Sequence, residues 1–172
     1  GPFTLTNPYR TVVDIARTNA FRYALGYVDG LAREYGVERE ELRAYAQTNC
    51  RGLHGIARAF DVFEHMDGRS DNGGESEARA AMILAGVAAP ELQVEITRPG
   101  NAGYYLADYG WQMPNGSWML AELHGLGKFE DDAQNDPEHT AAKTYRAALM
   151  RDTNLRAMGH NVIHFKLSDT YD

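Results

Sequence analysis

A chain of 172 residues with 44% hydrophobic content is long enough to bury one well-packed domain, or a core plus a helical extension. Lys and Arg number 17 against 24 Asp and Glu, and the formal net charge of −7 argues against a free-standing, non-specific nucleic-acid binder. It does not argue against a nuclease, whose acidic site lowers the total. No apolar run approaches bilayer length and no basic-then-apolar leader opens the chain, so neither a membrane span nor a signal peptide is expected, and a cytoplasmic location follows by default.

The opening Gly1-Pro2 is a common remnant of a cleaved expression tag, and the abrupt start suggests residues missing at the amino end. Residues 9–66 read as helices: Val12, Val13, Ile15 and Ala16, then Phe21, Leu25, Val28, Leu31 and Ala32, recur at three- and four-residue intervals. Gly36 reads as the stop of the second helix. A third starts near Glu38 and runs through Leu42 and Tyr45, and a fourth carries Ile56, Ala59, Phe60 and Phe63. The short loops make these antiparallel helix hairpins. The lone Cys50 excludes an intramolecular disulfide and a multi-cysteine zinc site, and reads as structural.

The polar, glycine-bearing run 67–74 is the best internal boundary, dividing a helical region (3–70) from a second domain (71–172). Ser70, Asp71 or Asn72 can cap a helix over 74–85, with Glu75 and Glu77 near its positive end. Extended segments follow at 92–97, 104–111 and 118–123, joined by turns at 99–103 and 113–117. Pro137 suits the first turn of a long helix reaching about residue 158. Its expected apolar side carries Ala141, Tyr145, Ala148, Leu149 and Leu155, with Lys143 and Arg146 opposite. Gly159 ends it and 161–165 reads as a last strand, giving an α+β order of helix, three strands, helix, strand.

The second and third strands each carry one carboxylate among apolar residues. Strand alternation puts Asp108 on the side of Leu106, and Glu122 on the side of Trp118 and Leu120, the sets expected to face inward. Two like charges buried together need a cation or a proton. Magnesium, which takes oxygen ligands and keeps several waters, would be served by Asp108, Glu122 and the carbonyl of Leu123. Such a metal polarises a phosphoryl oxygen and makes hydroxide available. His124 is placed to contact the water, and Lys128, beyond Gly127, to return its ammonium group.

Each residue also has a plainer reading. Strand-end acids pair with Arg or cap turns, His124 and Lys128 are ordinary polar residues, and Glu75 stabilises its helix dipole. Gln93 reads as edge-strand polarity or as a group that orients water or phosphate. Lys143 and Arg146 form a solvated helix face or contact phosphates. His160 and His164 flank a strand, where the helical zinc spacing is lost.

Taken in order, Gly74-Glu75-Ser-Glu-Ala-Arg79, Pro90-Glu-Leu-Gln93-Val-Glu-Ile96, Ala107-Asp108-Tyr-Gly-Trp111, Glu122-Leu-His-Gly125-Leu-Gly-Lys128-Phe129 and Leu155-Arg-Ala-Met-Gly159-His-Asn-Val162 resemble the Vsr-like branch of the PD-(D/E)xK nuclease superfamily, as in bacterial AbiEi-type toxin–antitoxin or endonuclease-domain proteins. Upstream, the segments beginning at Pro8 and Gly52 are similar to the helical connector that follows an amino-terminal winged helix in those proteins. The resemblance implies a restriction-endonuclease-like αβββαβ core preceded by that connector. It implies a Mg2+- or Mn2+-dependent DNA endonuclease in which Asp108 and Glu122 match the metal-binding acids, Glu75 the first-helix glutamate, and Gly125 and Lys128 the later glycine and lysine. His124 stands where relatives carry an acid, and Ala142 where they carry a glutamate. These departures motivate a second expectation, a catalytically degenerate nuclease fold acting as a DNA-binding regulator or antitoxin-type protein. DNA is the expected partner, with a dimer surface on the helical region and a winged helix outside this sequence.

Overall fold

The computed structural model describes residues 6–124 and 141–171, which divide between Ala88 and Ala89 into two compact units. The amino-terminal unit holds α1 (Pro8–Thr18), α2 (Phe21–Tyr35), α3 (Arg39–Asn49), α4 (Ile56–Glu64) and α5 (Gly73–Leu84). Each boundary has a local cause. The Asn7 side chain accepts from the Arg10 amide ahead of Pro8, α2 stops at Gly36 with φ 62°, and Glu38 and Glu41 close a reciprocal cap on α3. The Asn72 side chain caps α5 by accepting from the Glu75 amide at 3.1 Å.

Val13, Leu25, Val28, Leu42, Val62 and Phe63 are fully buried and knit α1 to α4 into one core, joined by Ala80 of α5. Helix α5 also packs along α2, so the expected boundary at residue 70 and the observed division differ by this helix. Gly55 fixes the α3–α4 corner: φ is 77°, and a Cβ there would lie 2.2 Å from the Arg17 carbonyl oxygen. Only glycine fits. Gly55→Ala must shift backbone as well as adopt a left-handed conformation, and should cost about 3 kcal/mol by chemical denaturation; an unchanged unfolding midpoint would contradict this packing.

The interior of this unit also holds an ion pair. Asp29 on α2 and Arg79 on α5 are 0% and 4% exposed, and the Arg79 guanidinium donates to Asp29 at 2.7 Å and to the His65 carbonyl at 2.7 Å. The Asp67 amide donates to the other Asp29 oxygen at 2.9 Å.

The carboxy-terminal unit holds β1 (Glu91–Thr97), β2 (Tyr104–Gln112), β3 (Trp118–His124), α6 (Ala141–Ala157) and β4 (Asn161–Lys166), with short 3-10 turns at Pro99–Asn101 and Leu167–Thr170. The sheet order is β1-β2-β3-β4: the first three are antiparallel neighbours, and β4 runs parallel to β3 after the crossover that a parallel pair requires. Val94, Ile96, Tyr105, Ala107, Leu120, Leu155 and Val162 form its core. The chain is thus a mixed α+β protein, with six α-helices and one four-stranded mixed sheet among the described residues. No helix among them is long and apolar enough to cross a membrane.

Helix α6 departs from expectation. Leu149 and Met150 are 56% and 66% exposed, and the inward positions are Arg151, Asp152, Leu155 and Met158. Leu155 of the expected apolar side is buried and Leu149 is not, and two of the inward positions are charged, so apolar periodicity alone does not define the inward face.

Candidate functional site

The register of the sheet brings the singled-out polar residues to one level. Gly110 pairs with Leu120 and Tyr109 with Ala121, the last paired step of that ladder, and Asp108 and Glu122 are the next residues on their strands. Glu122 in turn pairs with His164 of β4. On the other side, Leu92↔Tyr109 and Val94↔Ala107 bracket Gln93, which lies beside Asp108 with φ 52°. A left-handed glutamine inside a strand costs about 1–3 kcal/mol, and such strain persists only where the surroundings hold it. A row Gln93–Asp108–Glu122–His164 therefore crosses all four strands.

The expected inward set on β2 is corrected. Leu106 is 41% exposed, and the buried neighbours of Asp108 are Ala107 and Tyr109. Asp108 is half-buried between them, and its Oδ2 accepts from the Leu123 amide at 2.8 Å. Leu123 thus supports the acid through its N–H. Close packing at Gly110 holds this part of the hairpin: a Cβ there would lie 2.9 Å from Val94 Cγ2, 3.0 Å from Trp118 Cε3 and 3.2 Å from Leu120 Cδ2. Gly110→Ala should destabilise the protein by about 1–3 kcal/mol. A thermal melt unchanged by this substitution would contradict the crowding.

Glu122 is the more enclosed acid, its side chain 13% exposed, and Arg151 of α6 donates to its Oε1. The same guanidinium nitrogen, Nη2, donates to the Leu106 carbonyl on β2. Burial pushes the Glu122 carboxyl above its ordinary range, and the charge of Asp108 pushes the same way, against the hydrogen bond and charge of Arg151. A carboxyl raised in the folded state contributes stability that is present below its unfolded value and lost as pH rises through the folded one. The Tm of wild type relative to Glu122→Gln should therefore fall as pH climbs through the weakly acidic range. A constant difference between the two melts would contradict that shift.

Beside this pair, Asp152 of α6 meets His164 Nε2 at 2.6 Å. Helix α6 thus sets Arg151 against Glu122 on β3 and Asp152 against His164 on β4. His160 accepts from the Trp118 amide at 3.1 Å through Nδ1, which leaves the two histidines in separate roles. Neither Arg151 nor Asp152 was singled out by sequence reasoning. The available signal was an adjacent pair of opposite charges, Arg151-Asp152, in a helix whose apolar stripe is otherwise thin.

The other expected site residues are placed as follows. Glu75 is 3% exposed in the helical unit, where Oε2 accepts from the Asp71 amide at 2.8 Å and Oε1 from Asn72 Nδ2 at 2.9 Å. That is the geometry of a helix cap. Arg146 is exposed on α6. Lys128 and Gly125 lie outside the described residues, as do the side chains of His124 and Lys143. Among the described residues no group of three or more His, Cys, Asp or Glu is gathered for a metal ion.

Two uncharacterized proteins of Mycobacterium tuberculosis, from strains CDC 1551 and H37Rv, are each 35% identical to this chain over 106 residues. The match covers 62% of this chain and 38% of each relative, so the chain spans well under half the length of these curated bacterial relatives. No protein-family profile and no solved structure matches the chain.

Proposed function

We propose that the carboxy-terminal unit is a metal-dependent DNA endonuclease-like domain of the Vsr-like PD-(D/E)xK type. The observation that carries this reading is the placement of Asp108 and Glu122 directly after the last paired step of β2 and β3, with the charge of Asp108 acting on Glu122. The donor set fits magnesium or manganese as a two-carboxylate site. Among the described residues Asp108 Oδ1 and Glu122 Oε2 make no hydrogen bond, and hard divalent ions accept one or two carboxylates with water completing the shell. When bound, the ion would polarise a phosphoryl oxygen and lower the pKa of a water.

The residues of the chain do the rest. The Leu123 amide holds Asp108 in place, and Gln93 borders the same row to orient water or phosphate. His124 or Lys128, further along the sequence from Glu122, is assigned to position the nucleophilic water. Lys143 and Arg146 are assigned the DNA backbone, in an intracellular protein whose helical unit supplies a dimer surface. Glu75, engaged as a cap, takes at most a supporting part.

Plasmid DNA incubated with the protein and Mn2+ should be nicked, and EDTA should stop it. Nicking indifferent to EDTA, or none in Mn2+, would contradict the reading. A second reading, a nuclease fold retained as a DNA-binding regulator or antitoxin-type protein, is favoured by Arg151 on Glu122 and by His124 in place of an acid. DNA binding that survives both EDTA and Asp108→Ala, without cleavage, would select it.

A further inference from the structure

Among the described residues Arg151 is a cation set directly on Glu122, and the proposed reaction has so far given it no task. Its Nη2 bridges the Glu122 carboxylate and the Leu106 carbonyl, so one guanidinium spans β3 and β2 at the level of the two acids. The charge of Glu122 is thereby met by the protein itself on a carboxylate that would also hold a divalent cation. Among the described residues no hydrogen bond engages Nε or Nη1 of Arg151, and the side chain keeps 25% of its surface exposed. A guanidinium offers five donors in a planar fork suited to phosphate, and here only one nitrogen is used.

We propose that Arg151 is a phosphate-binding residue that exchanges partners: it holds Glu122 before metal binding, and passes to a non-bridging oxygen of the DNA phosphodiester once the metal takes that carboxylate. The inference rests on the two-carboxylate metal reading and adds to it a residue and an order of events. Charge balance favours the exchange. A divalent ion and a guanidinium on one carboxylate repel each other, whereas a phosphodiester brings a negative charge for the displaced arginine. Asp152, the next residue along α6, is held on His164 at 2.6 Å, which anchors the helix while the Arg151 side chain moves.

The competing structural role is a clamp of α6 onto the sheet. A clamp predicts only a lower melting temperature for Arg151→Met. Partner exchange predicts two opposite changes in binding. Without the internal cation, Mn2+ measured by calorimetry in the absence of DNA should bind tighter by roughly tenfold, while a short duplex DNA in Ca2+ should bind weaker by about 10- to 100-fold. Mn2+ affinity that is unchanged or weakened, or DNA affinity that is unchanged, overturns the proposal. If Arg151→Met does not fold, Arg151→Lys carries the test. Its shorter stem and single nitrogen cannot keep both Glu122 and the Leu106 carbonyl, so a smaller tightening of Mn2+ is expected and no tightening overturns the proposal. The doubly substituted Asp108→Ala/Glu122→Ala protein separates the two levels. Loss of Mn2+ binding there, with wild-type affinities in Arg151→Met, defeats only the exchange; Mn2+ binding retained there defeats the metal reading beneath it.

Discussion

Replacing Asp29 with alanine is expected to cost about 3–5 kcal/mol, the usual penalty for leaving one member of a buried ion pair without its partner. Asp29 is fully buried, and four hydrogen-bonding groups converge on it and its partner: the Arg79 guanidinium, the Asp67 amide, the His65 carbonyl and the Ser76 side chain. Removing the carboxylate strands the Arg79 charge between α2 and α5 and frees the Asp67 amide at the turn after α4. Arg79→Met should cost about as much, because it strands Asp29 instead. The doubly substituted Asp29→Leu/Arg79→Met protein removes both charges, and should recover a large share of the loss. Urea unfolding of the three variants checks this. Single substitutions that cost less than about 1 kcal/mol would place the pair in the range of solvent-screened surface bridges.

The second large effect concerns chemistry. Asp108→Ala should lower the rate of metal-dependent DNA nicking by at least about 10²-fold, since loss of a metal ligand removes several kcal/mol of charge stabilisation and each 1.36 kcal/mol is tenfold in rate. Stability should change far less, because Asp108 is half-buried and its hydrogen bond comes from a backbone amide, that of Leu123, at the end of β3. Nicking that persists at the wild-type rate in Asp108→Ala, measured at saturating Mn2+ with a matched thermal melt, would remove Asp108 from the site.

The parts of the fold that follow from local rules were legible in the sequence. The five amino-terminal helices follow the spacing of residues such as Leu25, Val28 and Leu31, with stops where Gly36 turns left-handed and a start where Asn72 caps. The hairpin between β2 and β3 was set by Asn115 and Gly116, the latter at φ 83°. What was hidden depends on tertiary partners. Asp29 sits one residue after Val28 on the apolar stripe of α2, a visible anomaly whose meaning needed Arg79, fifty residues on. Arg151 and Asp152 on the inward side of α6 were hidden because their partners, Glu122 and His164, lie on β3 and β4. Period-2 alternation placed Leu106 inward, and the ladder breaks at Gln93 beside Asp108, where such counting cannot be carried across.

The two acids are legible by type and position, on strands that pair as neighbours. That pairing is also what the functional proposal needs. The direct measurement is an anomalous difference map from crystals grown with Mn2+. The account predicts one peak within ligand distance of Asp108 and Glu122 oxygens, with the Arg151 side chain turned away from Glu122. Saturating Mn2+ that leaves no peak there, with Arg151 still bonded to Glu122, would contradict it.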